Sequence, residues 1–265
     1  MLLDAYVFTD ETDKQALLDF RSQVGKRKIL SSWNHSFPLC NWKGVTCGHK
    51  HKRVIGLDLG GLQLGGVISP SIGNLSFLTS LNLLHNSFGG TIPHSVGNLF
   101  RLHYLDMRVN FLRGGIPANL ANCSRLLYLD LYSNPLGGSV PSELGSLTKL
   151  VVLYLAENNL NGKTPASLGN LTSLTSLYIE NNTMEGEIPE DMARLTQIVE
   201  LSFGENNFSD DVPPANPIKY KDEIAQDSQI PISVGSSHRL GISLRSTQKD
   251  GLRGLLLLMA IKSKT

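Results

Sequence analysis

The sequence predicts an α/β solenoid, a curved stack of short units with a parallel sheet on its concave face and a helical cap at its N-terminal end. Asparagine recurs every 24 residues without an insertion, and leucines keep the same register from one unit to the next. A glycine and a Pro-containing step close each unit, so many of the 25 Gly and 12 Pro mark regularly spaced turns. A fixed period of this kind is the signature of a repeat architecture in which each unit packs on its neighbours.

The composition excludes several other classes of protein. With 41% hydrophobic and 18% charged residues, the 265-residue chain is too apolar for a disordered protein. Its longest apolar run, Leu255 to Ile261, is far shorter than the roughly 20 residues of a membrane-spanning helix. A formal net charge of +1 gives no reason to expect nucleic acid as a partner. Three cysteines exclude a disulfide-dense scaffold.

The first two segments are a short N-terminus and a cap. Residues 1–10 are predicted to be disordered, and they lack the pattern of a secretory signal. Residues 11–53 are predicted to form an N-terminal cap that shields the first unit from water. Asp13 to Val24 carries apolar residues at helical spacing, so we expect an amphipathic helix with Thr12 or Asp13 as its N-cap. The basic stretch Lys50 to Arg53 is interpreted as a solvated edge of this cap.

The cap also contains two cysteines seven residues apart. Cys40 and Cys47 flank a Trp and a Gly, which suits a small loop closed by a disulfide. The alternative is a metal site formed by Cys47, His49 and His51. Only the clustering of these metal-binding residue types supports it.

Residues 54–213 are predicted to form seven units of 24 residues, of which the first is degenerate. The Leu-x-Leu step of each unit alternates with period two and predicts a short strand with inward leucines. The recurring asparagine is expected to be buried, with its amide bonded to the backbone of neighbouring turns. The glycine is expected to adopt a positive φ, and the following proline predicts an extended convex side. The asparagines are Asn86, Asn110, Asn134, Asn158, Asn182 and Asn206, and the glycines are Gly66, Gly90, Gly114, Gly138, Gly162 and Gly186.

After Pro213 the register fails. Residues 214–265 carry eight Lys/Arg and four Asp/Glu, against 16 and 19 in the preceding 213 residues. This shift predicts a divergent, disordered tail that does not continue the repeat.

The units match the pattern LxxLxxLxLxxNxLxGxIPxxLG and resemble the plant-type leucine-rich repeat. The cap strings SWN and CNWKGVTC, together with GVISPSIGNLSFLTSLNL, resemble the ectodomain of plant leucine-rich-repeat receptor-like kinases, close to the group of the bacterial EF-Tu receptor. This resemblance implies a ligand- or co-receptor-binding ectodomain in innate immune signalling. It implies a peptide or protein ligand and a co-receptor ectodomain as partners, and an extracellular or cell-surface location. The kinase signatures of the family are not found in this sequence, so we expect no enzyme activity from it.

Two other functions remain open. The chain could be a secreted inhibitor-type repeat protein that binds a cell-wall enzyme, or a non-functional truncated gene product. Neither function, nor the receptor interpretation, requires a cofactor or a metal.

The variable positions beside the strand leucines are the candidate ligand-binding residues, because a solenoid exposes them on its concave sheet. Tyrosine is abundant there, and it offers a large contact area with a polar tip at low entropic cost. The predicted concave-face residues are Tyr104, Asp106, Arg108, Tyr128, Asp130, Tyr132, Tyr154 and Tyr178.

Six N-glycosylation sequons, together with the paired cysteines, indicate an oxidising, extracellular setting. The predicted glycosylation sites are Asn34, Asn74, Asn122, Asn170, Asn181 and Asn207. Cys123 stands at a leucine position of its unit and is interpreted as a buried small hydrophobic residue.

Overall fold

The computed structural model describes residues 10–209 and 243–245. One α-helix, α1, spans Asp10–Gln23. The strands are β1 (Val45–Cys47), β2 (Val54–Asp58), β3 (Gly65–Val67), β4 (Ser80–Asn82), β5 (Ser87–Gly89), β6 (Tyr104–Asp106), β7 (Tyr128–Asp130), β8 (Gly137–Gly138), β9 (Val152–Tyr154), β10 (Asn159–Gly162), β11 (Ser176–Tyr178), β12 (Thr183–Gly186), β13 (Glu200–Ser202), β14 (Asn207–Phe208) and β15 (Ser243–Arg245). Short 3-10 helices lie at Arg27–Leu30, Leu39–Asn41, Pro70–Asn74, His94–Asn98, Ala118–Asn122, Ser142–Ser146, Ala166–Asn170 and Glu190–Arg194.

The main sheet has nine strands in the order β1-β2-β4-β6-β7-β9-β11-β13-β15. The strands from β2 to β13 pair in parallel, and every step keeps the 24-residue register, as in Leu105 opposite Leu129. The predicted α/β solenoid with a parallel concave sheet and a helical cap is therefore confirmed. After β2, β4, β7, β9, β11 and β13 the chain adds a strand to one of two smaller parallel sheets, β3-β5 and β8-β10-β12-β14. After β6 it makes only an isolated parallel bridge, between Gly114 and Leu136.

The core is a continuous stack of aliphatic side chains. In the unit that contains β7, Leu126, Leu129, Leu131 and Leu136 have no exposed surface. Cys123 is also fully buried, as predicted for a leucine substitute. Because no unit could bury these leucines alone, the stability of the stack comes from the contacts between neighbouring units.

Each recurring asparagine is buried and serves two units at once. Asn134 is 4% exposed. Its Oδ1 accepts a hydrogen bond from the backbone N–H of Leu112 at 3.1 Å, and its Nδ2 donates to the carbonyl of Met107 at 3.1 Å. Its Nδ2 also donates to the carbonyl of Leu131 in its own turn at 3.2 Å. The amide thus bonds backbone groups of its own turn and of the preceding unit, as the sequence predicts.

The turns contain one feature that the sequence pattern does not reveal. The six glycines adopt the predicted positive φ, for example +72° at Gly90. The residue before each recurring asparagine is also left-handed although it carries a side chain, as at Val109 with φ of +54°. This conformation is rare for a β-branched residue, and it turns the chain so that the following asparagine points inward.

The convex side differs from its prediction. The prolines are extended, as at Pro93 with φ of −64° and ψ of 136°, but a 3-10 helix of five residues follows each of them. Proline favours this start because its fixed φ and missing N–H cost nothing at a helix N-terminus. The expected extended convex side was therefore wrong beyond the proline itself.

The cap corrects two further predictions. Helix α1 begins at Asp10, so Thr12 and Asp13 both lie inside the helix and neither is its N-cap. Asp13 has another role. Its buried carboxylate accepts hydrogen bonds from Arg53 Nε at 2.8 Å, Arg53 Nη2 at 2.7 Å and the N–H of Val54 at 2.8 Å. Arg53 is only 3% exposed, so the solvated-edge interpretation holds for Lys50 to Lys52 and was wrong for Arg53. The ion pair lies within the predicted cap, and the bond from Val54 joins the cap to the first repeat.

Cys40 and Cys47 form a disulfide that closes the cap loop. The sulfur of Cys47 is therefore not a thiolate ligand, and within residues 10–209 no group of His, Cys, Asp and Glu is arranged to hold a metal ion. The rings of the two cap tryptophans, Trp33 and Trp42, stack beside this loop with their centroids 5.7 Å apart.

The ends of the chain fall largely outside the described residues. Residues 1–9, most of the predicted disordered N-terminus, lie outside them. The predicted tail from residue 214 also lies outside them, except for β15, which pairs antiparallel with β13. In the part of the chain that is described, no helix is long and apolar enough to cross a membrane.

Candidate functional site

Four tyrosines form a continuous row across the concave sheet, which we call the tyrosine ladder: Tyr104, Tyr128, Tyr154 and Tyr178. Successive strands β6, β7, β9 and β11 each contribute one ring. Tyr104 and Tyr128 stack with centroids 4.6 Å apart, whereas Tyr154 meets Tyr178 edge-on at 4.9 Å. All four rings are half-buried. The row exists because the strands pair in register, although Tyr154 and Tyr178 belong to the neighbouring column of variable positions.

An acidic network lies beneath the first two rings. The hydroxyl of Tyr104 donates to Asp106 Oδ2 at 3.0 Å, and that of Tyr128 donates to Asp130 Oδ2 at 2.9 Å. Both carboxylates are fully buried, and each also accepts a backbone N–H two residues ahead. The tyrosine hydroxyls are thus held in fixed orientations.

Arg108 bridges the two carboxylates. Its Nη1 donates to Asp130 Oδ2 at 3.2 Å, and its Nε lies 3.7 Å from Asp106 Oδ2. The guanidinium is about one-third exposed. The two aspartates are therefore buried, paired with Arg108 and bonded to tyrosine hydroxyls and backbone N–H groups. They are not the exposed contact residues that the sequence suggested.

The ionisation of the site follows from burial and from these carboxylates. Burial, and then the neighbouring Asp106, raises the pKa of Tyr104 to about 12. Burial, and then Glu200, raises the pKa of Tyr178 to about 12. Burial also raises the pKa of Asp106 above its usual range, ahead of the opposing effect of the Arg108 N–H. The hydroxyls therefore remain protonated donors at neutral pH.

The C-terminal end of the concave face is acidic. Tyr132 hydrogen-bonds Glu157, which raises the pKa of the phenol to about 12. Ser176 donates to Glu200 Oε2 at 3.2 Å. Glu180 has one buried carboxylate oxygen, Oε2, that lacks a hydrogen-bond partner within the described residues, and burial raises the pKa of this carboxyl. Glu180 and Glu200 stand at variable concave positions of the repeat but were not among the predicted ligand-binding residues. Glu157 and the unsatisfied oxygen of Glu180 had no signal in the repeat pattern.

The predicted glycosylation sites lie away from the tyrosine ladder, with one exception. Asn74, Asn122 and Asn170 are exposed and end three of the 3-10 helices. Asn34 is half-buried, and its side chain bonds the backbone of Ser31 and Ser36. Asn181 is exposed next to Glu180 on the concave side, and Asn207 is exposed on β14. Glycosylation at these positions stays a prediction.

Comparison with protein families supports the repeat and cap assignments. The family described as "Leucine rich repeat N-terminal domain" matches residues 10–48. The family described as "Leucine Rich Repeat" matches residues 77–99, 125–147, 149–171 and 173–195.

Curated relatives are plant receptor kinases. The chain is 74% identical over 90 residues to a probable LRR receptor-like serine/threonine-protein kinase of Arabidopsis thaliana, which is 33% of this chain and 9% of that protein. It is 67% identical over 84 residues to the LRR receptor-like serine/threonine-protein kinase EFR of Arabidopsis thaliana, which is 31% of this chain and 8% of that protein. The aligned part of the chain is thus under a tenth of the length of these relatives.

Solved structures extend the likeness over most of the solenoid. A plant ice-binding protein has a TM-score of 0.70 at 30% identity, covering 77% of this chain and 66% of its own. The LRR ectodomain of the Arabidopsis thaliana membrane receptor kinase GASSHO1/SCHENGEN3, solved in complex with CASPARIAN STRIP INTEGRITY FACTOR 2, has a TM-score of 0.64 at 32% identity, covering 74% of this chain and 27% of its own. The predicted resemblance to plant receptor-kinase ectodomains is confirmed by these matches.

Proposed function

Because this chain is a leucine-rich-repeat solenoid that resembles the ectodomains of plant receptor-like kinases, we propose that it is a recognition ectodomain whose tyrosine ladder binds a peptide or protein segment. The observation that carries this proposal is the ladder itself, four half-buried rings in one row across neighbouring strands. With strands about 4.8 Å apart, the row is about 14 Å long, which matches about four residues of an extended peptide.

The ladder is pre-organised for binding. Its rings already pack on one another, and the hydroxyls of Tyr104 and Tyr128 are fixed by buried carboxylates. Little side-chain entropy therefore remains to be lost when a ligand covers the rings, which favours affinity. Tyrosine also combines an apolar face with a polar tip, so it can contact both the backbone and the side chains of a peptide.

The charge of the concave face indicates which kind of peptide segment would bind the tyrosine ladder. Arg108 is the one cationic group in the network around the ladder, and Asp106 and Asp130 neutralise it. Glu157, Glu180 and Glu200 add negative charge at the C-terminal end, where β9, β11 and β13 contain no Lys or Arg and Arg245 of β15 is the one basic residue placed in register, opposite Glu200. The proposed ligand therefore carries Lys or Arg, which would pair with these carboxylates and lie over the exposed ring faces.

The similar structures support a recognition role. The GASSHO1/SCHENGEN3 ectodomain was solved with CASPARIAN STRIP INTEGRITY FACTOR 2, and the ectodomain of the receptor kinase HAESA was solved with the peptide hormone IDA and the co-receptor SERK1. By analogy, the proposed setting of this chain is the cell surface, with a co-receptor ectodomain as a second partner in defence signalling. The sequence matches lie within the cap and the repeats, so kinase activity is not part of the proposal for this chain.

The experiment is binding of the purified chain to an array of synthetic peptides of equal length whose net charge ranges from acidic to basic. Basic peptides should be retained, and replacing Tyr128 and Tyr154 together by Ala should reduce their retention at least tenfold. Phe111→Ala is the matched control, because Phe111 is a 58% exposed ring away from the concave sheet. Equal retention by the double variant, or preference for acidic peptides, would show that the ligand site lies elsewhere.

A further inference from the structure

A second surface of the solenoid is strongly basic and independent of the tyrosine ladder. Three cationic residues, Arg101, Arg125 and Lys149, recur at the 24-residue period, each three residues before a main-sheet strand. They lie in the segments that lead from the 3-10 helices to β6, β7 and β9, on the flank opposite the two smaller sheets. Because these strands pair in register, neighbouring cationic side chains start about 4.8 Å apart. We call this row the basic ladder.

The charges of the basic ladder are not compensated by the protein. All three residues are exposed, and within residues 10–209 none of them forms an ion pair. The segments 98–103, 122–127 and 146–151 contain no Asp or Glu. Arg108 on the concave face is the contrasting case, since two buried aspartates hold it. Adjacent like charges repel one another, so a row of them without partners favours an anionic ligand.

The N-terminal end of the ladder is ordered and partly apolar. The guanidinium of Arg101 lies 4.1 Å from the centroid of the Phe77 ring, which restrains it on the flank. Phe100 is 58% exposed and Leu127 is 42% exposed in the same segments. Exposed apolar side chains thus lie in the same segments as the cationic groups.

We propose that this flank binds a linear acidic polysaccharide, a polymer with one carboxylate on each sugar. A single exposed ion pair contributes little to binding, so a small anion would be held weakly, whereas a polymer engages all three charges at once. Arginine pairs with a carboxylate through two parallel hydrogen bonds. The polymer fixes each carboxylate to a rigid ring, while an acidic protein surface would have to order a flexible side chain for every contact. The exposed side chains of Phe100 and Leu127 would contact the C–H faces of the sugar rings.

The test measures retention of the full chain on immobilised polygalacturonate. The chain is first deglycosylated enzymatically, because the Asn122 sequon lies three residues from Arg125. The ladder variant is Arg101→Gln, Arg125→Gln and Lys149→Gln. The matched control is Lys28→Gln, Arg113→Gln and Lys163→Gln, which removes the same charge from exposed positions outside this flank. Fully methyl-esterified polygalacturonate and polyglutamate are the comparison polymers.

Wild type and control variant should bind polygalacturonate within about twofold of each other, and the ladder variant should bind at least tenfold more weakly with a reduced dependence on salt. Methyl esterification should abolish binding. Equal losses in the two triple variants, or no retention of the wild type, would overturn the proposal. Tighter binding to polyglutamate would overturn it in favour of an acidic protein partner. Because the probes and the surface differ from those used for the tyrosine ladder, failure here leaves the proposed peptide site unaffected.

Discussion

Truncating Asn158 should destabilise the solenoid far more than truncating its neighbour Asn159. Asn158 is 7% exposed, and its Oδ1 accepts a hydrogen bond from the N–H of Leu136 at 3.2 Å. Its Nδ2 lies within 3.0 Å of the carbonyl oxygens of Leu131 and Leu155. Asn159 is exposed and points away from the core.

The magnitude follows from the groups left behind. Asn158→Ala leaves the buried N–H of Leu136 without a partner, which costs about 1–3 kcal/mol. The carbonyls of Leu131 and Leu155 each lose one hydrogen bond, worth about 0.5–1.5 kcal/mol, but keep the bonds from Asn134 and Asn182. Because a water can enter the polar space vacated by the amide, the lower ends apply, and we expect a loss of about 2–3 kcal/mol in the free energy of unfolding. This is a large share of the roughly 5–15 kcal/mol that a folded protein has in total. Asn159→Ala should change it by less than about 0.5 kcal/mol.

The assay is urea unfolding of both variants and the wild type, followed by far-ultraviolet circular dichroism. The two substitutions remove the same atoms from adjacent positions, so the difference between them isolates the buried amide. If both variants unfold at the wild-type midpoint, the asparagine column does not stabilise the stack and the reasoning is refuted.

Three further predictions concern the cap and the concave face. Asp13→Ala should cost about 3–5 kcal/mol in urea unfolding, because it removes the carboxylate that pairs with the buried Arg53. Asp13→Leu with Arg53→Met should cost clearly less, and equal costs would contradict this. The raised folded-state pKa of Asp106 means that the folded state binds a proton more readily than the unfolded state. The free energy of unfolding should therefore fall as pH rises from about 3.9, the unfolded value, through the raised folded-state pKa, and Asp106→Asn should flatten that slope. In an absorbance titration, Tyr104 and Tyr178 should remain protonated at about pH 10, where an unperturbed tyrosine is half ionised; a Tyr104→Phe variant that leaves the high-pH part of the titration unchanged would argue against this.

The fold was predictable because one constraint repeats. Every 24 residues the same leucines must be buried and the same backbone groups must be satisfied, so chance agreement between units is excluded by repetition alone. The strand leucines, the buried asparagines and the left-handed glycines were all readable in this way. The left-handed residues before each asparagine were not, because their chemical identity varies from His85 to Glu205 and only their backbone repeats.

The candidate site was only partly predictable. The concave tyrosines were found because the register places each variable position on a known face. That Asp106 and Asp130 are buried and satisfied could not be inferred, since it depends on how Arg108 folds back across two strands. The same holds for Asp13, which reads as a helix cap in sequence but pairs with Arg53, 40 residues away.

The sequence by itself determined the period, the inward and outward faces of each unit and the cysteine pair of the cap, because these depend on residue spacing along one chain. Only the tertiary structure decided which charges are neutralised and which are left uncompensated. Arg108 and Arg53 are paired with buried carboxylates, whereas Arg101 and Arg125 face solvent on the flank. The physical reason is that an ion pair depends on distances of a few ångströms between residues far apart in sequence, and stacking the units sets those distances.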